Sequence, residues 1–352
     1  MSTPKSIQTQ LLHSDRTAGV QHAPSHQPIY KSVQFAYDSA QGIADAFQGK
    51  SAGYTYARSN NPTLTALETQ LTLLEQGIGT VSFATGMGAI ATAMLALLKD
   101  GDHIVVSQYL FGNTTSLFDT FGLHGVEISY VDVTNVANVV AEIRDNTRMV
   151  FVETLANPRT QITDLQGIGQ LCQTRNIVFV VDNTMATPAL VRSRVYGASL
   201  VMNSLSNGLS GHGAVLGGSI TDTGLFDWSN YPNIFVKYRT GDSSKWGLVQ
   251  LRKKGLRDMG ATLSADAAQM IALGLETFFL RNERACANAL QLAQWLQAHP
   301  AVEHVDYSGL SKHPQHTRAQ ELFGKRGFGT LLSFKVKPEH KDVFAVLDTL
   351  QV

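Results

Sequence analysis

The order of apolar and polar positions divides the chain into three stretches. Residues 1–55 are polar, punctuated by Pro24, Pro28 and several histidines, and lack a strong period, which predicts an extended N-terminal arm. From about residue 61 the pattern becomes regular. TLTALETQLTLLEQG has apolar residues at helical spacing, and GMGAIATAMLALLKDG is apolar nearly all round, as a buried helix would be. Short β-branched runs then alternate with helical ones. HIVVS (103–107), VEISYVDV (126–133), MVFVETL (149–155), VFVVDNT (178–184) and LVMNSL (200–205) read as strands, with VANVVAEIRDN and LQGIGQLCQTRN as helices between them. Near-continuous apolar strands separated by helices predict an α/β fold with a parallel sheet covered on both faces. Such sheets take ligands beyond the carboxyl ends of their strands, so functional residues should cluster there.

Residues 222–260 read as irregular and aromatic, with Trp228, Tyr231, Tyr238 and Trp246. One long helical stretch is expected over 263–299, joining two domains. VEHVDYSG and GTLLSFKVK read as strands and EHKDVFAVLDTL as a helix. The expected division is an arm (1–55), a large ligand-binding domain (56–260), and a linker helix with a small α+β domain (261–352). That small domain reads as unfinished at Val352, with an open sheet edge.

Composition narrows the function classes. The chain has 352 residues, 43% of them hydrophobic and 16% charged, and a formal net charge of zero. That supports a sizeable core and gives no basic field for nucleic acid. Cys172 and Cys286 lie far apart with no ligand cluster around them, so free thiols in a reducing compartment are expected rather than a disulfide or a metal site. The first residues lack the apolar core of a signal peptide, and no run approaches the ~18 apolar residues of a membrane helix. A cytoplasmic protein without a membrane partner is expected.

Three constellations fall at the expected strand ends. ATGMGA (84–89) opens a helix, and its glycines would let the backbone approach a phosphate or simply pack closely. Asp182, in VVDNTMATP, ends an apolar strand, where it could cap the next element, pair with a cation, or hold a protonated pyridine nitrogen. In NSLSNGLSGHG (203–213), Ser204 and Ser206 stand two apart and can point the same way, while Asn207-Gly208 is also a strong turn signal. His212, between glycines, reads as a packing histidine rather than a catalytic one.

With these segments the chain resembles the Cys/Met-metabolism enzymes that depend on pyridoxal 5′-phosphate (PLP), a family of cystathionine synthases and lyases, methionine γ-lyases and homoserine-ester sulfhydrylases. The resemblance starts at QPIYKSVQF (27–35) and continues through YTYARSNNPT, SFATGMGAI, LFGNT, FVETLANP, VVDNTMATP, the 203–213 segment, LGLETFFLRN and GFGTLLSF, in family order. It implies a fold-type I PLP-dependent transferase with a mostly parallel seven-stranded sheet and a smaller C-terminal domain. It also implies a dimer or homotetramer in which Tyr56 and Arg58 reach the neighbouring cofactor's phosphate. The backbone of Gly86 and Met87 and the hydroxyls of Ser204 and Ser206 would hold the same phosphate. Asp182 would meet the pyridine nitrogen and keep the ring an electron sink. Asn157 would bind the ring hydroxyl, with Glu153 in the same segment, and Phe111 would stack on the ring.

Three departures modify those implications. The family pattern at 204–207 ends in a lysine that forms the Schiff base and moves the proton at Cα, and Asn207 stands in its place. An amide does neither, and no lysine occurs between Lys99 and Lys237. PLP is therefore expected non-covalently or as an external aldimine with an amino acid, and turnover is expected to be lost or strongly impaired. Phe111 stands where many relatives have a tyrosine, and Asn113 where methionine γ-lyases carry a cysteine. Relatives continue beyond the point matching Val352. The implied parent activity is γ-replacement on an O-acylated homoserine in methionine biosynthesis. The alternatives are a non-catalytic PLP- or amino-acid-binding pseudoenzyme, a C–S lyase of the family, or another aminotransferase-like chemistry, which would need its own lysine.

Overall fold

The computed structural model describes residues 5–14, 22, 24–340 and 342–350. Seven strands form one sheet: β1 (Gly79–Phe83), β2 (His103–Ser107), β3 (Glu127–Val131), β4 (Thr147–Glu153), β5 (Val178–Asp182), β6 (Leu200–Ser204) and β7 (Gly218–Asp222). Their order is β1-β7-β6-β5-β4-β2-β3, and all neighbours are parallel except β7, which runs antiparallel to both β1 and β6. A second, antiparallel pair joins β8 (Val302–Asp306) to β9 (Ser333–Val336).

The helices preceding and crossing the sheet are α1 (Ile7–Ser14), α2 (Ala40–Gln48), α3 (Pro62–Glu75), α4 (Gly86–Leu97), α5 (Gly112–Leu123), α6 (Val136–Glu142), α7 (Leu165–Arg175) and the single turn α8 (Thr187–Leu190). Those that follow are α9 (Trp246–Gln250), α10 (Ala265–Glu276), α11 (Phe278–Ala298), α12 (His316–Phe323) and α13 (Val343–Asp348).

Strand alternation builds the two cores. Phe151, Val180, Leu200 and Met202 pack with Ala93, Met94, Phe118 and Trp228 on one side. Val150, Val152, Phe179, Val181 and Val201 pack with Leu165, Ile168 and Phe323 on the other. Residues two apart on a strand share a face, so every second residue faces the opposite core. Both faces are dry, which is why these strands read as continuous apolar runs.

Several expectations change. The stretch 1–55 is not simply extended. α1 buries Leu11 against Leu64, Leu67 and Leu71 of α3, and α2 is capped by Ser39 and ended by Gly49 in the left-handed region. Residues 1–4, 15–21 and 23 of that stretch lie outside the described residues. β1 and β7 were missed because GTVSF and GSITD are short and half polar, and their serines and threonines are buried by strand pairing. The long helix expected over 263–299 breaks at Thr277 (φ −105°, ψ 7°). α10 packs on the α3 cluster through Ile271 and Leu275, whereas α11 packs through Ala289, Ala293 and Leu296 on Tyr307, so the two need different directions. The strand expected at 329–337 begins only at Ser333, and the helix expected at 339–350 covers Val343–Asp348, started by the Asp342 cap.

The segment 222–260 is also more ordered than its sequence suggests. α9 runs into a π-helical turn at Leu251–Arg257. Phe226, Trp228 and Tyr231 meet edge to face with centroids 4.8–6.0 Å apart. The Tyr231 hydroxyl and the Asn233 amide donate to the Leu97 carbonyl at 2.7 and 2.8 Å, and the Gln250 amide donates to Ala96 at 2.6 Å. These donors satisfy the last carbonyls of α4, which have no partner within the helix.

Asp222 anchors the start of this segment. It accepts from the Gly224 N–H at 2.8 Å and from Trp228 Nε1 at 2.9 Å. Burial pushes its carboxyl up from 3.8 to about 7 against those bonds. A carboxyl with a raised folded-state pKa binds its proton more tightly when folded. Its contribution to stability is complete below the unfolded pKa and is lost as pH rises through the folded value. Asp222→Asn should remove that slope, shrinking the decline in urea-unfolding stability between acid and neutral pH by on the order of 1–3 kcal/mol. The variant should be weaker than the unaltered chain at acid pH, because one of the two donors loses its acceptor.

Candidate active site

The parallel strands deliver their carboxyl ends to one edge of the sheet, and a cavity of about 310 Å³ opens there. Gly86 and Met87 of α4, Phe111 before α5, Glu153 of β4, Asn157, Asp182 of β5, Ser204 of β6, Ser206 and Asn207 all line it. Tyr56 and Arg58 do not. They lie at a separate cavity of about 480 Å³ with Lys31, Thr262 and Asp266, and the Arg58 guanidinium sits 5.3 Å over the Tyr56 ring.

One end of the main cavity is built for an anion. Thr85 caps α4, its hydroxyl accepting from the Gly88 N–H at 2.8 Å. The N–H groups of Gly86 and Met87 take part in none of the hydrogen bonds among the described residues. They therefore remain available at the positive end of the helix. Ser204 and Ser206 face the same point, their hydroxyl oxygens 2.8 Å apart. Glycine at 86 suits this approach: a Cβ there would crowd the serine, standing 3.0 Å from the Ser204 Cβ and 3.1 Å from its Oγ. Gly218 of β7 does the same from below, since a Cβ on it would lie 2.8 Å from the Gly86 Cα.

The other end is acidic. Glu153 and Asp182 are register partners across β4 and β5. Glu153 is buried, one oxygen accepting from the Phe111 N–H at 2.7 Å and the other unpartnered. Asp182 accepts from the Thr184 N–H at 2.9 Å. Burial pushes both carboxyls above the usual carboxylate range, and the charge of Asp182 raises Glu153 further. Among the described residues no lysine, arginine or histidine lines the cavity. Two carboxyls without a protein cation leave a place for a cationic ligand group.

Asn207 sits on the turn after β6. Its carbonyl accepts from the Gly211 N–H at 2.9 Å, while its side chain makes no hydrogen bond among the described residues. Arg281 clamps the turn, donating to the carbonyls of Gly208 at 2.8 Å and Leu209 at 3.1 Å and to Gly274 at 2.7 Å. Asn207, Thr184 and Met185 also line an adjoining cavity of about 370 Å³ with Arg281, Asn282 and Thr330. His212 Nδ1 donates to the Ser210 carbonyl at 2.6 Å and lies outside the main cavity, but the residue is exposed, so the expected packing role is not met.

The sequence reading missed Thr85 and Thr184. Thr184 ties two strand ends together: its hydroxyl accepts from the Ser204 N–H at 2.8 Å. The Thr three residues before Gly88 was a legible cap signal. Thr184 carried none, because its partner is 20 residues away.

A helix start and two hydroxyls at one end of a cavity, and a strand-end carboxylate at the other, fit a phosphorylated pyridine. The fold belongs to the fold-type I PLP-dependent enzymes. A solved Campylobacter jejuni protein assigned as an O-acetylhomoserine (thiol)-lyase, which carries N′-pyridoxyl-lysine-5′-monophosphate, superposes with a TM-score of 0.89 at 28% identity, covering 95% of this chain and 85% of that one. The chain belongs to the Cys/Met metabolism PLP-dependent enzyme family, whose model matches residues 8–352. It is 34% identical over 362 residues to the O-acetyl-L-homoserine sulfhydrylase of Corynebacterium glutamicum, covering 98% of this chain and 83% of that protein. It is 38% identical over 315 residues to an L-methionine gamma-lyase of Fusobacterium nucleatum, covering 88% and 73%.

Gly218→Ala tests the geometry of the helix start. The added methyl group would push the first turn of α4 off the sheet, lowering stability in urea unfolding by about 1–3 kcal/mol.

Proposed function

We propose that this chain binds PLP in the main cavity without a covalent bond to the protein, and that its parent activity is γ-replacement on an O-acylated homoserine. The observation that carries this reading is the cavity itself: Gly86, Met87, Asp182, Ser204 and Ser206 line it together with Asn207, and among the described residues no lysine does.

The residues present fit the cofactor. Gly86 and Met87 would donate backbone N–H groups to its phosphate, joined by Ser204 and Ser206. Asp182 would pair with the ring nitrogen, and Phe111 and Asn157 would border the ring. When bound, PLP supplies an electron sink for carbanions next to the amino group of an amino acid. The chain's own part is to bind, orient and shield. Glu153 holds the Phe111 backbone in place. Asn207 can hydrogen-bond, but its amide neither forms an imine nor carries a proton between carbon atoms near neutral pH, so turnover is lost or strongly impaired. A binding protein without catalysis is the other outcome consistent with that side chain.

Tyr56 and Arg58 lie away from the cavity of their own protomer. That placement supports a dimer or tetramer in which each serves its neighbour's phosphate, with Arg58 supplying the cation that this cavity lacks. Within the family, Phe111 and Asn113 favour sulfhydrylase over methionine γ-lyase chemistry, although relatives of both kinds are similar to the chain. The division into an arm, a large domain from 56 to 260 and a smaller one after 261 belongs to the same reading, as does a cytoplasmic location.

Asn207→Lys is the decisive variant. The unaltered chain should release PLP on dialysis, whereas the variant should retain it and gain one cofactor mass after borohydride reduction. Its turnover of O-acetylhomoserine with sulfide should rise by roughly two orders of magnitude or more. A variant that takes up no PLP would overturn the site, and an unaltered chain as active as the variant would overturn the role given to Asn207. Ser204→Ala and Ser206→Ala should each weaken PLP binding roughly tenfold in equilibrium dialysis, the worth of one hydrogen bond to a charged group.

A further inference from the structure

Behind the cavity floor lies a second polar layer to which nothing above gives a task. Glu153, Asp182 and Ser204 face the cavity, and strand alternation turns the residues beside them the other way. Those residues are Thr154, Asn183 and Asn203, all buried. Asn183 and Asn203 converge on Glu75, the last residue of α3, and Thr154 joins them through Asn183. Glu75 Oε1 accepts from Asn203 Nδ2 at 2.8 Å and from Asn183 Nδ2 at 3.3 Å. Asn183 Nδ2 also donates to the Val191 carbonyl at 2.8 Å, and its Oδ1 accepts from the Thr154 hydroxyl at 3.0 Å. One carboxyl oxygen therefore ties β4, β5 and β6 together, one residue removed from the cavity-facing side chains.

This layer is a costly way to fill a core. Glu75 Oε2, Asn203 Oδ1 and the Nε of nearby Arg192 are buried without partners. Each such atom forfeits hydration with no bond in return, and apolar residues of similar volume would not. What the layer supplies instead is direction: hydrogen bonds fix the relative positions of strand ends that apolar packing would leave free to shift.

We propose that Glu75 is a positioning residue that, through Asn183 and Asn203, sets the separation between Asp182 and Ser204 and so matches the cavity to the length of a phosphorylated pyridine. This rests on the cofactor reading given above. Glu75 touches neither the ligand nor the reacting atoms. A ligand that spans both ends should feel the separation, and a ligand that occupies one end should not.

The test compares two probes, PLP and inorganic phosphate, on the full chain and on Glu75→Leu and Glu75→Gln at temperatures well below unfolding. The leucine removes the shared acceptor and leaves the Asn203 amide unpaired, while the Asn183 amide keeps only the Val191 carbonyl. Its PLP dissociation constant should rise by about tenfold or more, the cost of a buried donor left unsatisfied, while phosphate binding changes by less than about threefold. Glutamine keeps the acceptor and offers its own amide to Asn203 Oδ1, so it should restore PLP binding. A merely structural role would weaken both probes together. Equal losses for PLP and phosphate, or a leucine variant that binds PLP as well as the unaltered chain, would overturn the inference alone. An unaltered chain that binds phosphate but no PLP would overturn the cofactor reading and this inference with it. Should Glu75→Leu not fold, Asn203→Ala cuts the Ser204 arm alone and should give the same divergence between the two probes.

Discussion

The register of β4, β5 and β6 is the constraint on which the site depends. Glu153 stands opposite Asp182, Asp182 opposite Met202, and Ser204 opposite Gly218. A slip of one residue on any strand would turn its cavity side chain into the far core and bring its neighbour round. Apolar packing on both faces resists that slip, because Phe151, Val180 and Met202 fill one core while Val152, Val181 and Val201 fill the other. The chemistry is thus held at the ends of strands whose bodies cannot move independently.

The sheet also decides where the helix start lies. β7 enters antiparallel between β1 and β6 and puts Gly218 directly under the first turn of α4. The far end of α4 is tied down by Tyr231, Asn233 and Gln250. An anion at the near end therefore meets N–H groups on a helix fixed at both ends. Preorganised donors of this kind need not reorganise when the ligand arrives, and they bind it more tightly for that reason. The aromatic segment after β7 contributes to the site in this indirect way without lining it.

Much of the site could be read in advance because its residues sit beside local signals. A Gly-rich helix start, an aspartate ending an apolar run and two serines two apart after a strand each have a physical reason that needs only a few neighbours. The resemblance to the family connected them, and the structure brings Gly86, Met87, Phe111, Glu153, Asn157, Asp182, Ser204, Ser206 and Asn207 to one cavity. The elements read wrongly share a cause. β1 and β7 are made strands by pairing partners far away in sequence. The π turn at Leu251–Arg257 lies within a segment whose aromatics obscure its helical period. The break at Thr277 reflects two packing surfaces, not a local stop signal.

The sequence alone determined the α/β class, the strand ends where chemistry belongs, and the absence of a lysine near residue 207. These follow from periodicity and residue identity, which are local. Only the tertiary structure decided that Tyr56 and Arg58 lie away from their own cavity, that Thr184 links two strand ends, and that Glu75 joins three strands through two asparagines. Those contacts span from 20 to 128 residues of chain. No window of sequence holds both partners, and a buried polar residue does not reveal its partner until the chain has closed around it.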